Sequence, residues 1–192
     1  MKLYPFVYKS ACATCGALAV LPIDIVHTRI VTNKTVMVKP SELGLIFAMC
    51  NMFALQNTVY ENLQFITNNG IRGSIASLSI SPMVLFIKIK KMYSRLNIYP
   101  LYRDFIFWTL LRETIYYSLL YTIYNFNNGI YKLFAPFIAN TLAYPFKIIM
   151  LKKSYPVLNI DYTIIKKGIF FELLESSIGD SIAFYLIYNK IK

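Results

Sequence analysis

An arginine and a glutamate stand side by side in the middle of an apolar run, Leu110-Leu111-Arg112-Glu113. Charges at membrane depth are costly and tend to be functional. The guanidinium of Arg112 offers a fork of donors that grips a carboxylate with two bonds, and Glu113 beside it is able to hold an ammonium. Downstream, Glu172, Ser176 and Asp180 recur at i, i+4 spacing and share one helical face, which makes Asp180 another candidate partner for an ammonium. A plainer chemistry fits the same residues. A buried charge must be paired, so Arg112 pairs with Glu113, Glu175 or Asp180 and ties helices together, while Glu172, near a basic segment, is expected to be solvated or bound to Lys167.

Catalysis has no foothold in the sequence. It holds no nucleophile with a base and an orienting group and no metal-ligand spacing, so no enzyme, cofactor or metal is expected. His27 is the single histidine and reads as a polar group at a gate in preference to a ligand. Cys12-Ala13-Thr14-Cys15 has the spacing of a redox motif without the strand-to-helix context that one requires. With Cys50 these cysteines are odd in number and lie in apolar segments, where small side chains let helices approach closely. A net charge of +11 raises nucleic acid as a partner, but the bases are confined to segments between apolar runs, so none is expected.

The elements that must position these groups are organised around Leu21-Pro22-Ile23-Asp24-Ile25-Val26-His27-Thr28-Arg29, which ends the first long apolar segment. Pro22 removes a backbone donor and bends a helix. Two weaker echoes follow, one beginning Ser81-Pro82-Met83-Val84 and the other Tyr144-Pro145-Phe146-Lys147. A second series, Tyr60-Glu61, Tyr124-Asn125 and Tyr188-Asn189, recurs every 64 residues. The chain therefore reads as a single transmembrane domain, 1–192, of three repeats at approximately 1–67, 68–128 and 129–192. Each unit is a proline-bent helix, a basic loop and a second helix. Helices are expected over about 4–29, 42–65, 71–95, 102–126, 130–153 and 167–191.

The composition is 57% hydrophobic and 16% aromatic with 15% charged residues, and the mean hydropathy is +0.50, outside the ordinary soluble range. Each expected helix is long enough to cross about 30 Å of hydrocarbon at about 1.5 Å per residue. Small residues cluster early in the odd-numbered helices, at Ser10 to Ala17, at Gly73 to Ser77 and at Ala135 with Ala139. Asn51, Gln56 and Asn57 are amides in an apolar run, expected to bond a neighbouring helix or line a wet cavity. Basic residues from Arg29, Lys34 and Lys39 to Lys152, Lys153 and Lys167 concentrate on one side. That side is assigned to the compartment that retains basic loops, with both termini opposite. No small-x-small cleavage site precedes Pro22, so the first segment is read as mature protein.

Over its whole length the chain resembles the mitochondrial carriers, whose odd-numbered helices close with Pro-x-acid-x-x-base-x-base and whose even-numbered helices close with aromatic-acid-x-x-base. Pro22 to Arg29 matches the first pattern; Tyr60-Glu61-Asn62-Leu63-Gln64 and Tyr188-Asn189-Lys190-Ile191-Lys192 resemble the second. The resemblance implies six transmembrane helices in three two-helix repeats around a pseudo-threefold axis, in a monomer surrounded by lipid. It implies alternating-access transport of a small solute across the mitochondrial inner membrane. Family contact residues lie about a dozen positions before each tyrosine motif, which points to Ala48, Met49, Arg112, Glu113, Ser176 and Ser177, with Asp180 nearby. An arginine followed by an acid at the middle site resembles carriers of amino acids. The implied gates are Pro22, Asp24, Arg29, Pro82, Pro145 and Lys147 at one end, and Tyr60, Glu61, Tyr124, Tyr188 and Lys192 at the other.

The chain also departs from that family. Its repeats are shorter, and the shortfall lies in loops that normally hold a surface helix. Val84 and Lys147 stand at the acid positions of the second and third proline motifs, and His27, Ile87 and Met150 stand at the base positions. One interhelical pair is then expected, between Asp24 and Lys147, and the opposite ring keeps Glu61 as its acid and Lys192 as its base. These losses motivate a second reading, a degenerate carrier that does not transport and serves as a membrane scaffold, adaptor or insertion factor.

Overall fold

A computed structural model of the chain describes residues 3–36, 39–126 and 131–189, and at 3, 4, 126, 131, 176 and 189 it describes the backbone alone. The described residues form six helices and no strand: α1 (Leu3–Thr32), α2 (Pro40–Asn62), α3 (Asn69–Leu96), α4 (Tyr102–Phe126), α5 (Tyr131–Ser154) and α6 (Tyr162–Asn189).

Local chemistry sets the ends. Pro40 opens α2, where its missing N–H has no partner to lose. Asn68 caps α3 by accepting the Ile71 amide at 3.1 Å, and Asn97 ends it in the left-handed region at φ 54°, which asparagine tolerates. The sixth helix begins five residues earlier than expected, at Tyr162 rather than 167. Asp161 explains the difference. Its carboxylate accepts the Thr163 hydroxyl and the Ile164 amide, contacts that hold it below the usual carboxylate range, and Lys166 and Lys167 then fall inside the first turns. Pro22, Pro82 and Pro145 lie within α1, α3 and α5 on exposed faces. In α3 the Ser81 hydroxyl donates to the Leu78 carbonyl, the group that Pro82 leaves without its amide.

Each helix packs on its neighbours in sequence and α1 packs on α6, so the six close into a ring. Small residues permit the close crossings. A Cβ at Gly16 would stand 2.4 Å from the Gly179 carbonyl oxygen across the α1–α6 seam, and one at Gly73 would stand 2.6 Å from the Tyr117 carbonyl oxygen of α4. Ala135, Ala139 and Ala143 of α5 are wholly buried.

Large apolar side chains such as Leu18, Phe47, Leu78, Phe107, Phe134 and Phe170 are exposed on every helix, whereas Asp24, Arg95, Glu113 and Glu172 are buried. Apolar outside and charged inside is the arrangement of a protein surrounded by lipid rather than water. Among the described residues four helices, α1, α2, α3 and α5, are long and apolar enough to cross a membrane. The other two carry the interior charges Arg112 and Glu113 (α4) and Glu172, Glu175 and Asp180 (α6), which lowers their hydropathy.

Candidate functional site

All six helices line a central cavity of about 320 Å³. At one end of the ring, here the loop end, its lining reaches the last turns of α1 and α3 at Thr32 and Arg95. At the terminal end it stops at Phe53, Gln56, Tyr117 and Ala183, short of the helix ends.

An ion-pair network runs through the cavity wall. Asp24 of α1 accepts from Lys91 at 2.8 Å and from Arg95 at 2.5 Å, both on α3. Arg95 also reaches Thr28 at 2.9 Å and bonds Glu42 of α2. Lys88 pairs with Glu113 of α4. Arg112 donates to Glu113 at 2.6 Å, to Asn140 of α5 at 2.7 Å and to Glu172 of α6 at 3.0 Å. Lys147 of α5 also bonds Glu172. The chain of charges returns to α1 at His27, whose Nδ1 lies 3.1 Å from Glu172 and 3.4 Å from Glu175. Asp180 accepts from the Tyr116 hydroxyl.

An aromatic plug lies beyond the cavity, towards the terminal end. Tyr60 of α2 stacks on Tyr121 of α4 with centroids 3.7 Å apart, Tyr121 meets Phe184 of α6 edge-on at 6.0 Å, and Phe53 of α2 meets Phe184 edge-on at 5.5 Å. Tyr124 lies 5.0 Å from Tyr188. The wholly buried Asn57 accepts the Tyr121 hydroxyl at 2.8 Å, and Arg72 lies 4.0 Å over the Tyr60 ring. Beside the plug Lys9 is buried and bonds Glu61 at 2.5 Å.

Several expectations need correction. Asp24 does not pair with Lys147: the two have separate partners, Lys91 and Arg95 for the first and Glu172 for the second. Interhelical pairs are several rather than one. Glu172 is not solvated or bound to Lys167 but buried among Lys147, Arg112 and His27. Glu61 meets Lys9, and Lys192 lies outside the described residues.

Arg112, Glu113, Met49 and Asp180 line the cavity. Ala48 is not in its lining, Ser177 bonds the Leu173 carbonyl, and the Ser176 side chain lies outside the description. Arg29 is exposed and donates to the Val36 carbonyl at 3.1 Å, tying down the α1–α2 connection. The sequence reading missed Glu42, Lys88, Lys91, Arg95 and Asn140. A signal existed for three of them, since Lys88, Lys91 and Arg95 follow i, i+3, i+7 spacing and so share a helix face; counting them as loop charge hid it. His27 gains two acids that sequence spacing did not reveal, and the ligand atoms of His27, Glu172 and Glu175 lie within 4.8 Å of one another. A metal ion there would compete with Lys147 and Arg112, which already hold Glu172.

Comparison of the chain with protein-family models, with curated proteins and with solved structures finds no match.

Proposed function

We propose that the chain is a membrane transporter of the mitochondrial carrier type, which moves a small charged solute, an amino acid or similar, by alternating access across the mitochondrial inner membrane. The observation that carries this reading is the cavity itself, about 320 Å³ inside a closed ring of helices and lined by all six. That is the size of a small-solute site, and midplane sites between helix pairs are where transporters bind. Five bases, Lys88, Lys91, Arg95, Arg112 and Lys147, face five acids, Asp24, Glu113, Glu172, Glu175 and Asp180, across it. A balanced wall suits a zwitterion better than a nucleotide. Among the described residues Gln56 Nε2 and Arg112 Nε are buried donors without a hydrogen-bond partner.

On this reading α4 and α6 also span the lipid, presenting Ile106 and Phe107, and Phe170, Ile178 and Tyr185, outward. The repeats at 1–67, 68–128 and 129–192 then surround the solute, and the plug is the closed gate of a state open to the loop end. Purified chain in proteoliposomes is expected to take up labelled amino acids, and Arg112→Ala is expected to abolish uptake. Absence of uptake for every solute tried, together with no effect of Arg112→Ala in any assay, contradicts transport.

The scaffold reading has one observation in its favour: every basic side chain of the cavity wall already has a carboxylate partner. A protein that never binds solute needs nothing more. Cysteines placed beside Arg112 separate the two, since a scaffold with a dry interior leaves them unmodified by aqueous reagents.

A further inference from the structure

The charges of the cavity wall do not pair off completely, and what is left over has one sign. Lys88 meets Glu113, Lys91 meets Asp24, Arg95 meets Asp24 and Glu42, Arg112 meets Glu113 and Glu172, and Lys147 meets Glu172. No lysine or arginine of the cavity lacks a carboxylate. Among the described residues two cavity carboxylates lack a lysine or arginine partner, Glu175 and Asp180.

These two differ. Asp180 is engaged by the Tyr116 hydroxyl. Among the described residues Glu175 meets only the Nδ1 of His27, at 3.4 Å, and that nitrogen is shared with Glu172 at the shorter 3.1 Å. A single imidazole N–H cannot satisfy two carboxylates. The Glu175 side chain is also 26% exposed, against 3% for Glu172, and it lines the cavity. It therefore keeps acceptor lone pairs facing the space a solute would enter. A charge at a partly buried wall is stabilised by an opposite charge, and among the described residues Glu175 is the cavity carboxylate that no lysine, arginine or hydroxyl engages.

We propose that Glu175 receives the ammonium of the solute, so that the ligands of this cavity are organic cations or zwitterions bearing a primary amine, and not anions. This rests on the transport reading for its site and narrows the substrate class. Gln56 Nε2 and Arg112 Nε lack a partner among the described residues but are themselves buried, and they add no unmatched charge, so the amine rather than the acid decides binding. The residue that discriminates is then on α6 rather than at Arg112, whose guanidinium is occupied by Glu113, Asn140 and Glu172.

The test is calorimetric titration of the full purified chain in detergent with a zwitterionic amino acid, butylamine, succinate and Mn²⁺. The amino acid and the amine are expected to bind and succinate is not. Glu175→Gln is expected to weaken amine binding by roughly 10- to 100-fold, the range of a lost charged hydrogen bond, while leaving the melting temperature of the unliganded protein unchanged. Glu175→Asp, which keeps the charge, is expected to lie between, and it decides the matter if Glu175→Gln does not fold. Tighter binding of succinate than of the amine, an amine affinity that Glu175→Gln leaves intact, or binding of Mn²⁺ alone would overturn the assignment. Failure of the two proposals is separable: an amine that binds but is not taken up by proteoliposomes counts against transport alone, and uptake of succinate counts against Glu175 alone.

Discussion

At the terminal end Tyr60, Tyr121 and Phe184 meet ring to ring, with Arg72 over the outer ring, that of Tyr60. Within the cavity Lys88, Lys91 and Lys147 hold their acids while remaining 22%, 24% and 23% exposed. The first region is dry packing, in which stacked rings contribute about 0.5 to 1.5 kcal/mol beyond their burial. The second opens to the cavity on its lysine side, and an ion pair in contact with water contributes only about 0 to 1 kcal/mol. The difference separates permanence from exchange: rings in a dry plug have no competitor, whereas a solute carrying its own ammonium or carboxylate competes directly with a wet pair. Arg95 marks the boundary. It is 1% exposed between Asp24 and the fully buried Glu42, so its pairs behave as dry structure although they adjoin the wet wall.

Three substitutions probe this contrast. Arg95→Met strands the buried Glu42 and takes from Asp24 one of its two cations, and is expected to cost about 3 to 5 kcal/mol, the range for breaking a buried pair from one side, measured by chemical denaturation in detergent. Adding Glu42→Gln should recover part of that loss. Tyr121→Ala removes a ring that is 1% exposed at the centre of the plug and is expected to cost about 3 kcal/mol, with the added consequence that the terminal end leaks small solutes. Lys147→Met is the mild case. Glu172 is buried but keeps Arg112 and His27, so the loss is expected to be smaller than that of Arg95→Met, which leaves Glu42 without a cation; a loss as large as that of Arg95→Met would erase the distinction between the two kinds of pair.

Much of the scaffold was legible in the residues. Apolar runs of spanning length located six helices, and the small residues at Gly16, Gly73 and Ala139 marked where helices cross. The tyrosine series at 60, 124 and 188 gathers at one end because an equal spacing in helical hairpins returns each member to the same level. The charge partners were not legible, since a pairing across helices depends on rotation about each axis and a turn's error changes the partner. Asp24 illustrates this: its matches at Lys91 and Arg95 lie on α3, not at Lys147 on α5. Glu172 was misread for a related reason. The start of α6 was set too late at 167, which moved Glu172 towards the loop, and once Asp161 starts the helix early the residue falls deep in the wall beside His27. Glu42 escaped notice because an acid in a first turn has a sufficient local explanation in the helix dipole.

Transport by this chain requires a water-filled cavity that is sealed at the terminal end and reached from the loop end. Val84 lines that cavity and is half-buried. In a chain with Cys12, Cys15 and Cys50 replaced by alanine, Val84→Cys reconstituted in oriented sealed vesicles can be treated with a charged, membrane-impermeant thiosulfonate from either side. Modification from the loop side and protection from the terminal side is the predicted result. Equal modification from the terminal side, or none from either, would contradict it.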